Sequence, residues 1–204
     1  MKYLIIAGIF IFSFLLGSVP TAYVIVKLVT GKDLRKIGSG NIGGTNAKRA
    51  GSSKLQGYFI YFSTGIIDVL KGVIPVVLAI QLGKRVDFVI DNNIISVIAA
   101  LLSIIGHDTM IFMRNGKGKG VAVTIGSFLV LAPVPVLIGF GTFAILSIFV
   151  KAASKRSILF SVILVAACFI MSFSLPIKIG SIIAAVLLVG RHKENIERML
   201  KGQE

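Results

Sequence analysis

Apolar residues fall along this chain in long blocks, and most of the charged and glycine-rich sequence is gathered between them. The blocks cover residues 3–28, 58–82, 94–113, 121–131, 134–150, 157–173 and 177–190. A helix needs about 20 apolar residues to cross the hydrocarbon of a bilayer. The pattern therefore predicts an all-α, polytopic integral membrane protein of seven transmembrane helices, with residues 121–131 and 177–190 short for a crossing. Ala132-Pro133-Val134-Pro135 is the break between the fourth and fifth helices, because two prolines cannot continue one. Without that break, residues 121–150 form one long helix and the count is six. No internal repeat or low-complexity tract divides the chain, so residues 1–204 read as a single membrane-embedded domain.

Charge decides between six and seven. The connectors 27–54, 114–119, 151–156 and 191–201 hold seventeen Lys and Arg residues, whereas the opposite set is Lys2, Lys84, Arg85 and Lys178. Seven helices place all four rich connectors on one face. The positive-inside rule then puts the N-terminus outside and the C-terminus in the cytoplasm. The opening run is longer than the core of a signal peptide and lacks a small-x-small cleavage site, so it reads as a retained first span.

Composition agrees: 55% of the 204 residues are hydrophobic and 15% are charged, against roughly 25% charged in soluble domains. The net charge of +14 would point to nucleic acid in a soluble protein. Here the cations sit at the ends of apolar runs, with no basic helix interleaved with aromatics, which fits membrane lipids and orientation and argues against nucleic acid. The single cysteine, Cys168, excludes a disulfide framework and reads as a small residue facing lipid or another helix.

The four cationic connectors carry residues suited to anions. Residues 38–49 read GSGNIGGTNAKR. Gly38 and Gly40 free the backbone to aim its N–H groups at one point, Ser39, Asn41, Thr45 and Asn46 add side-chain donors, and Arg49 can fork onto a phosphate. The plain alternative is a tight interfacial turn. The stretch lacks the Gly-Lys-Ser/Thr ending of a Walker loop. Residues 115–120, NGKGKG, precede an apolar helix, so amides at its start with Lys117, Gly118, Lys119 and Gly120 again suit phosphate, or merely anchor the helix at the headgroups. Residues 151–157, KAASKRS, read equally as a headgroup anchor with a serine cap. In RHKENIERMLKGQE, the i, i+3, i+7 spacing puts His192, Asn195 and Met199 on one helical stripe, and Glu194 is spaced to pair with Arg198; a solvated amphipathic tail is the alternative.

Asp68 and Lys71 lie inside an apolar block at i, i+3, where each charge is expensive, and read as a scaffold pair. Gly72 and Pro75 follow, predicting close helix contact and a kink. His107, beside Asp108, is open to three roles: general base, phosphate donor or helix-packing group.

GSGNIGGTN with Arg49, DVLKGVIP, GHDTMIFM…GKGVA and RHKENIERMLKG resemble, nearly end to end, the bacterial acyl-phosphate:glycerol-3-phosphate acyltransferases, the PlsY family. The first and last motifs are the specific ones. The resemblance implies a seven-span inner-membrane enzyme of bacteria that moves a fatty acyl group from acyl phosphate to the 1-position of sn-glycerol 3-phosphate. The products are lysophosphatidic acid and phosphate, in the first acylation of phospholipid synthesis. It implies no cofactor and no required metal; membrane lipids are the expected surroundings, and a monomer is the expected state. Ser39 and Arg49 match the family's essential serine and arginine, and Lys119 a lysine that helps hold glycerol phosphate. Ser154 aligns with the serine before the sixth span, His192 and Asn195 with a polar pair, Glu194 with a structural glutamate, and His107 with the family histidine. The middle motif departs from the family's Phe-Lys-Gly-Gly-Lys-Gly-Val-Ala-Thr. Here the first lysine, Lys117, is shifted one place, Val123 replaces the threonine with Thr124 next, and Met110 replaces a proline.

No nucleophile–base–acid set is apparent, which suits an acyl phosphate, already an activated mixed anhydride. What remains is to hold two anions together and aim a hydroxyl, with the donor's own phosphate accepting the proton. Two other readings stay open: a transporter or binding protein for a phosphorylated metabolite, and a catalytically impaired paralogue.

Overall fold

A computed structural model describes residues 1–86, 90–113, 116 and 118–203. Among these residues the chain is helical with no strand. The helices are α1 (Lys2–Ser18), α2 (Thr21–Thr30), α3 (Gly44–Ala47), α4 (Lys54–Val86), α5 (Asn92–Thr109), α6 (Val121–Leu131), α7 (Pro133–Leu146), α8 (Ala153–Ile170), α9 (Leu175–Arg191) and α10 (Lys193–Leu200). Two 3-10 turns, Leu34–Lys36 and Lys48–Ala50, fold the segment between α2 and α4.

The helices α4 and α8 are each long and apolar enough to cross a membrane, and the bent pairs α1–α2 and α9–α10 reach that length and apolarity only as pairs. Large apolar side chains cover the outside: Ile66, Ile170, Val186 and Leu137 are all exposed. Such a surface is stable against lipid and not against water.

The block at 3–28 is not one helix. Pro20 has no N–H, so the Leu16 carbonyl takes the Val19 N–H at 3.3 Å instead, and α2 leaves α1 at 41°. The break at Ala132 falls where the prolines place it, with Pro133 at the start of α7. Pro75, by contrast, lies within the unbroken 33-residue α4. Residues 191–201 also differ from a single continuous helix. The chain bends by 62° between α9 and α10, with His192 at the corner. The stripe expected for His192, Asn195 and Met199 is therefore split, with His192 at the bend and the other two on α10.

Two tight crossings hold the bundle. At the first, Gly17 of α1 lies against the Ser103 carbonyl of α5, and Gly106 of α5 against the Phe14 carbonyl of α1. At the second, Gly72 of α4 meets the Val123 carbonyl of α6, and Gly126 of α6 meets the Val69 carbonyl of α4. Each is too close for a Cβ, which is how helices associate where the solvent offers no hydrophobic drive. Between these crossings runs the main core, with Val76, Ile104, Val123, Phe128, Phe160, Leu164 and Leu188 buried; Cys168 belongs to it and so faces helices. A smaller core, Ile6, Ile9, Ala79, Ile95 and Ala99, closes the end remote from the glycine-rich loop.

Leucine at Gly126 would push α4 and α6 apart. Overpacking of this kind costs about 1–3 kcal/mol or more. Gly126→Leu is expected to lower the melting temperature of the detergent-solubilised protein by several degrees, with Gly141→Leu, where nothing lies within 4 Å of an added Cβ, as the unaffected control.

Candidate active site at the polar ends of the helices

The glycine-rich loop is built around Asn46. Its Oδ1 accepts the Ser39 N–H at 3.2 Å, and its Nδ2 donates to the carbonyls of Ile37 at 2.8 Å and Asn41 at 3.1 Å. Both amide hydrogens thus serve the loop itself. This differs from the expectation that Asn46 donates to an anion, and the reason is that it is buried inside the turn it organises. Gly38 and Gly40 take φ of 53° and 69°, which the tight reversal requires. Arg49 lies directly over Gly38, where an added Cβ would sit 2.7 Å from its Nη1. Ser39, Thr45 and Arg49 are exposed at the rim, and Asn41 is half-buried. A cleft of about 580 Å³ is lined by Thr45, Lys48, Arg49, Ser52, Ser53 and Lys54.

The approach to the loop is fixed too. Asp33 accepts the Arg35 N–H at 3.0 Å and pairs with its guanidinium at 2.7 Å. The hydrogen bond from the Arg35 side chain lowers the Asp33 pKa to about 2, so this cap is lost only under strongly acidic conditions. Lys32 Nζ donates to the Ala50 carbonyl at 2.9 Å, closing the far end.

The second segment joins the first through packing. Met110 ends α5 in the left-handed region at φ 45° and is buried, with Met113, among Ala22, Val26, Leu34, Ile42, Ala47 and Ala50. The apolar underside of the glycine-rich loop and the start of the 110–120 connector therefore share one core. Further along, Gly118 rests on the ring and carbonyl of His107, with no room for a side chain, and Gly120, at φ 65°, begins α6. Lys117 and Asn115 lie outside the described residues.

The fourth segment joins the second through Lys119, whose Nζ donates to Asn195 Oδ1 at 2.5 Å. The bend at His192 is what turns α10 so that Asn195 reaches it. His192 is buried, and its Nδ1 lies 2.8 Å from the Leu188 carbonyl. A carbonyl partner makes Nδ1 the donor. Ser154 is buried in the first turn of α8, which packs on α7 and α9. Glu194 is exposed in the first turn of α10.

Asp68 and Lys71 do pair, at 2.8 Å and nearly sealed from solvent. His107 Nδ1 stands 3.8 Å from Asp68 Oδ1. One contact was not expected: Arg191 Nε lies 3.5 Å from Asp108 Oδ2, tying the end of α5 to the end of α9 just before His192. A cation next to His192 and a carboxylate next to His107 were the available signals, but their separation of 83 positions hid the pairing.

The chain matches the family model for glycerol-3-phosphate acyltransferase over residues 7–202. The chain belongs to this glycerol-3-phosphate acyltransferase family. It is 38% identical over 192 residues to the glycerol-3-phosphate acyltransferase of Clostridium acetobutylicum, covering 94% of each chain. It is 34% identical over 194 residues to the enzyme of that name from Aquifex aeolicus, covering 95% of each. Among solved structures it is similar to PlsY, described as an integral membrane glycerol 3-phosphate acyltransferase, in its glycerol 3-phosphate form. The TM-score is 0.83 at 31% identity, over 98% of this chain and 94% of that one. The lysophosphatidic acid form of PlsY gives 0.79 at 30% identity, over 98% and 93%.

Removing Asn46 takes three hydrogen bonds from the glycine-rich loop, each worth about 1 kcal/mol net. Asn46→Ala is expected to speed amide exchange at Ser39 roughly tenfold or more, measured by hydrogen–deuterium exchange, while amides in the middle of α5 keep wild-type protection.

Proposed function

We propose that this chain transfers a fatty acyl group from acyl phosphate to the 1-hydroxyl of sn-glycerol 3-phosphate. The glycerol oxygen attacks the acyl carbonyl, the bond to the phosphate oxygen breaks, and the hydroxyl proton leaves with the departing phosphate. The products are lysophosphatidic acid and inorganic phosphate. The observation that carries this reading is the convergence of the two glycine-rich connectors and α10, through the Met110 core and the Lys119–Asn195 hydrogen bond. This convergence occurs in a chain related end to end to the acyltransferases.

In this reading the rim formed by Gly38, Ser39, Gly40, Thr45 and Arg49 takes one phosphate, with Asn46 and Asn41 shaping the loop. Lys119, Gly118, Gly120 and Asn195 take the other, and Lys117 and Ser154 are assigned to the same half from the sequence. Cations and backbone amides lower the repulsion between two anions and stabilise the oxyanion as it forms. His192, buried at the corner between α9 and α10, orients the reacting groups and does not act as an obligatory base. His107 supports Gly118 from beneath, and Glu194 opens α10 with a charge suited to a helix start. The protein sits in the bacterial inner membrane as a seven-span monomer with its N-terminus outside, and the site faces the cytoplasm, where the cationic connectors lie.

The purified protein in detergent, given palmitoyl phosphate and glycerol 3-phosphate, is expected to release inorganic phosphate and form lysophosphatidate. Uptake of glycerol 3-phosphate into vesicles without product would select a transporter instead. Lys119→Met removes one charge-assisted hydrogen bond, worth about 1.5–3 kcal/mol. It should raise KM for glycerol 3-phosphate by about ten- to a hundredfold. His192→Gln separates orientation from proton removal. A kcat loss below about a hundredfold, with the acidic limb of the pH profile retained, is expected. A loss of 10³ or more with binding intact would make His192 the general base.

A further inference from the structure

Lys71 does more than neutralise Asp68. Its Nζ also donates to the carbonyl of Val19, at the break between α1 and α2. Its own carbonyl accepts the Ser103 hydroxyl of α5 at 2.7 Å. One buried residue of α4 therefore touches the first span at its break and α5 one turn before His107. From Asp68 the contacts continue: its Oδ1 is 3.8 Å from His107 Nδ1, and Gly118 lies on the His107 ring immediately before Lys119. From Val19 they continue along α2 to the glycine-rich loop. Both glycine-rich segments thus rest on the Asp68–Lys71 pair.

We infer that Asp68 and Lys71 are positioning residues. They set the bend of the first span and the seat of Gly118 together, and so hold Arg49 and Lys119 at the separation that two phosphate groups need. This rests on the acyltransferase reading above. The lever arm makes the effect large. The ten residues of α2 extend about 15 Å at 1.5 Å per residue, so a change of about 5° at Val19 moves the far end by about 1 Å. Displacement on the order of 1 Å in a preorganised site is enough to reduce turnover by about a hundredfold. A pair kept for stability alone would be a poor choice here, because buried ion pairs are often replaced by neutral side chains with no loss of stability.

The test is the double variant Asp68→Asn/Lys71→Met, which removes both charges and leaves neither partner stranded. Melting temperature, kcat and KM are measured in detergent, together with the distance between spin labels on Lys36→Cys and Phe112→Cys, two exposed positions flanking the glycine-rich loop and the end of α5. The expected result is a melting temperature within a few degrees of wild type, kcat/KM lower by thirtyfold or more, and a shifted or broadened label distance. Activity within threefold of wild type, or lost activity with an unchanged distance, overturns the proposal. If the double variant does not fold, Ser103→Ala carries the test. It removes only the hydroxyl on the Lys71 carbonyl, and a shifted distance with at least threefold loss of kcat/KM is expected, whereas wild-type values overturn the proposal. If wild-type protein releases no phosphate at all, the acyltransferase reading fails separately, and the label distances alone decide whether the pair positions the loops.

Discussion

In hydrocarbon every backbone N–H and C=O must find a partner within the protein, and this constraint decides where the chain can be irregular. Within the bundle the backbone is helical, and its first interruption is repaired. At Pro20 the Leu16 carbonyl takes Val19 N–H, and the Val19 carbonyl receives Thr21 N–H at 2.9 Å and Lys71. Freer backbone is confined to the helix ends, and there it becomes useful. The loop around Asn46 closes on its own hydrogen bonds and leaves Ser39, Thr45 and Arg49 exposed at its rim, and the connector through Gly118 to Gly120 carries Lys119 to Asn195. The candidate site lies where that rule is relaxed, at the helix ends.

The walls hold that site by close approach. Gly17, Gly106, Gly72 and Gly126 bring backbones into contact at the α1–α5 and α4–α6 crossings. These crossings bracket Asp68 and Lys71, so the only buried ion pair of two full charges among the described residues sits where the four helices are least able to shift. Packing carries the order outward. The Met110 core joins the two glycine-rich segments from below, and Lys119 joins the second of them to α10 from above. Arg191 and Asp108 fasten the ends of α5 and α9 beside the two histidines.

Much of this was legible in the sequence, and the reasons are local. The helices announced themselves as apolar blocks, because a span is defined by length and composition. The two prolines near Ala132 placed a break, and i, i+3 spacing paired Asp68 with Lys71. Gly38 and Gly40 were read as turn-formers and take the left-handed conformations that turns need. Where local signals conflicted, the reading was less secure. Pro20 and Pro75 are the same residue in similar apolar surroundings, yet one separates two helices and the other lies within α4. Asn46 was read as a donor to a ligand, whereas burial directs both its N–H groups to the loop.

The sequence by itself determined the class of the molecule: a greasy helical chain, cationic between its apolar blocks, with glycine-rich segments among the cations. Hydropathy, charge and glycine content act over a few residues, so they can be read in order. Only the tertiary structure decided that Val19 lies at Lys71, that Met110 lies under Ile42, and that Lys119 meets Asn195. Those partners are 52, 68 and 76 positions apart, and no periodicity relates them. They are chosen by which helices can approach at a glycine and by where a bend sends the next segment, and both depend on the whole bundle.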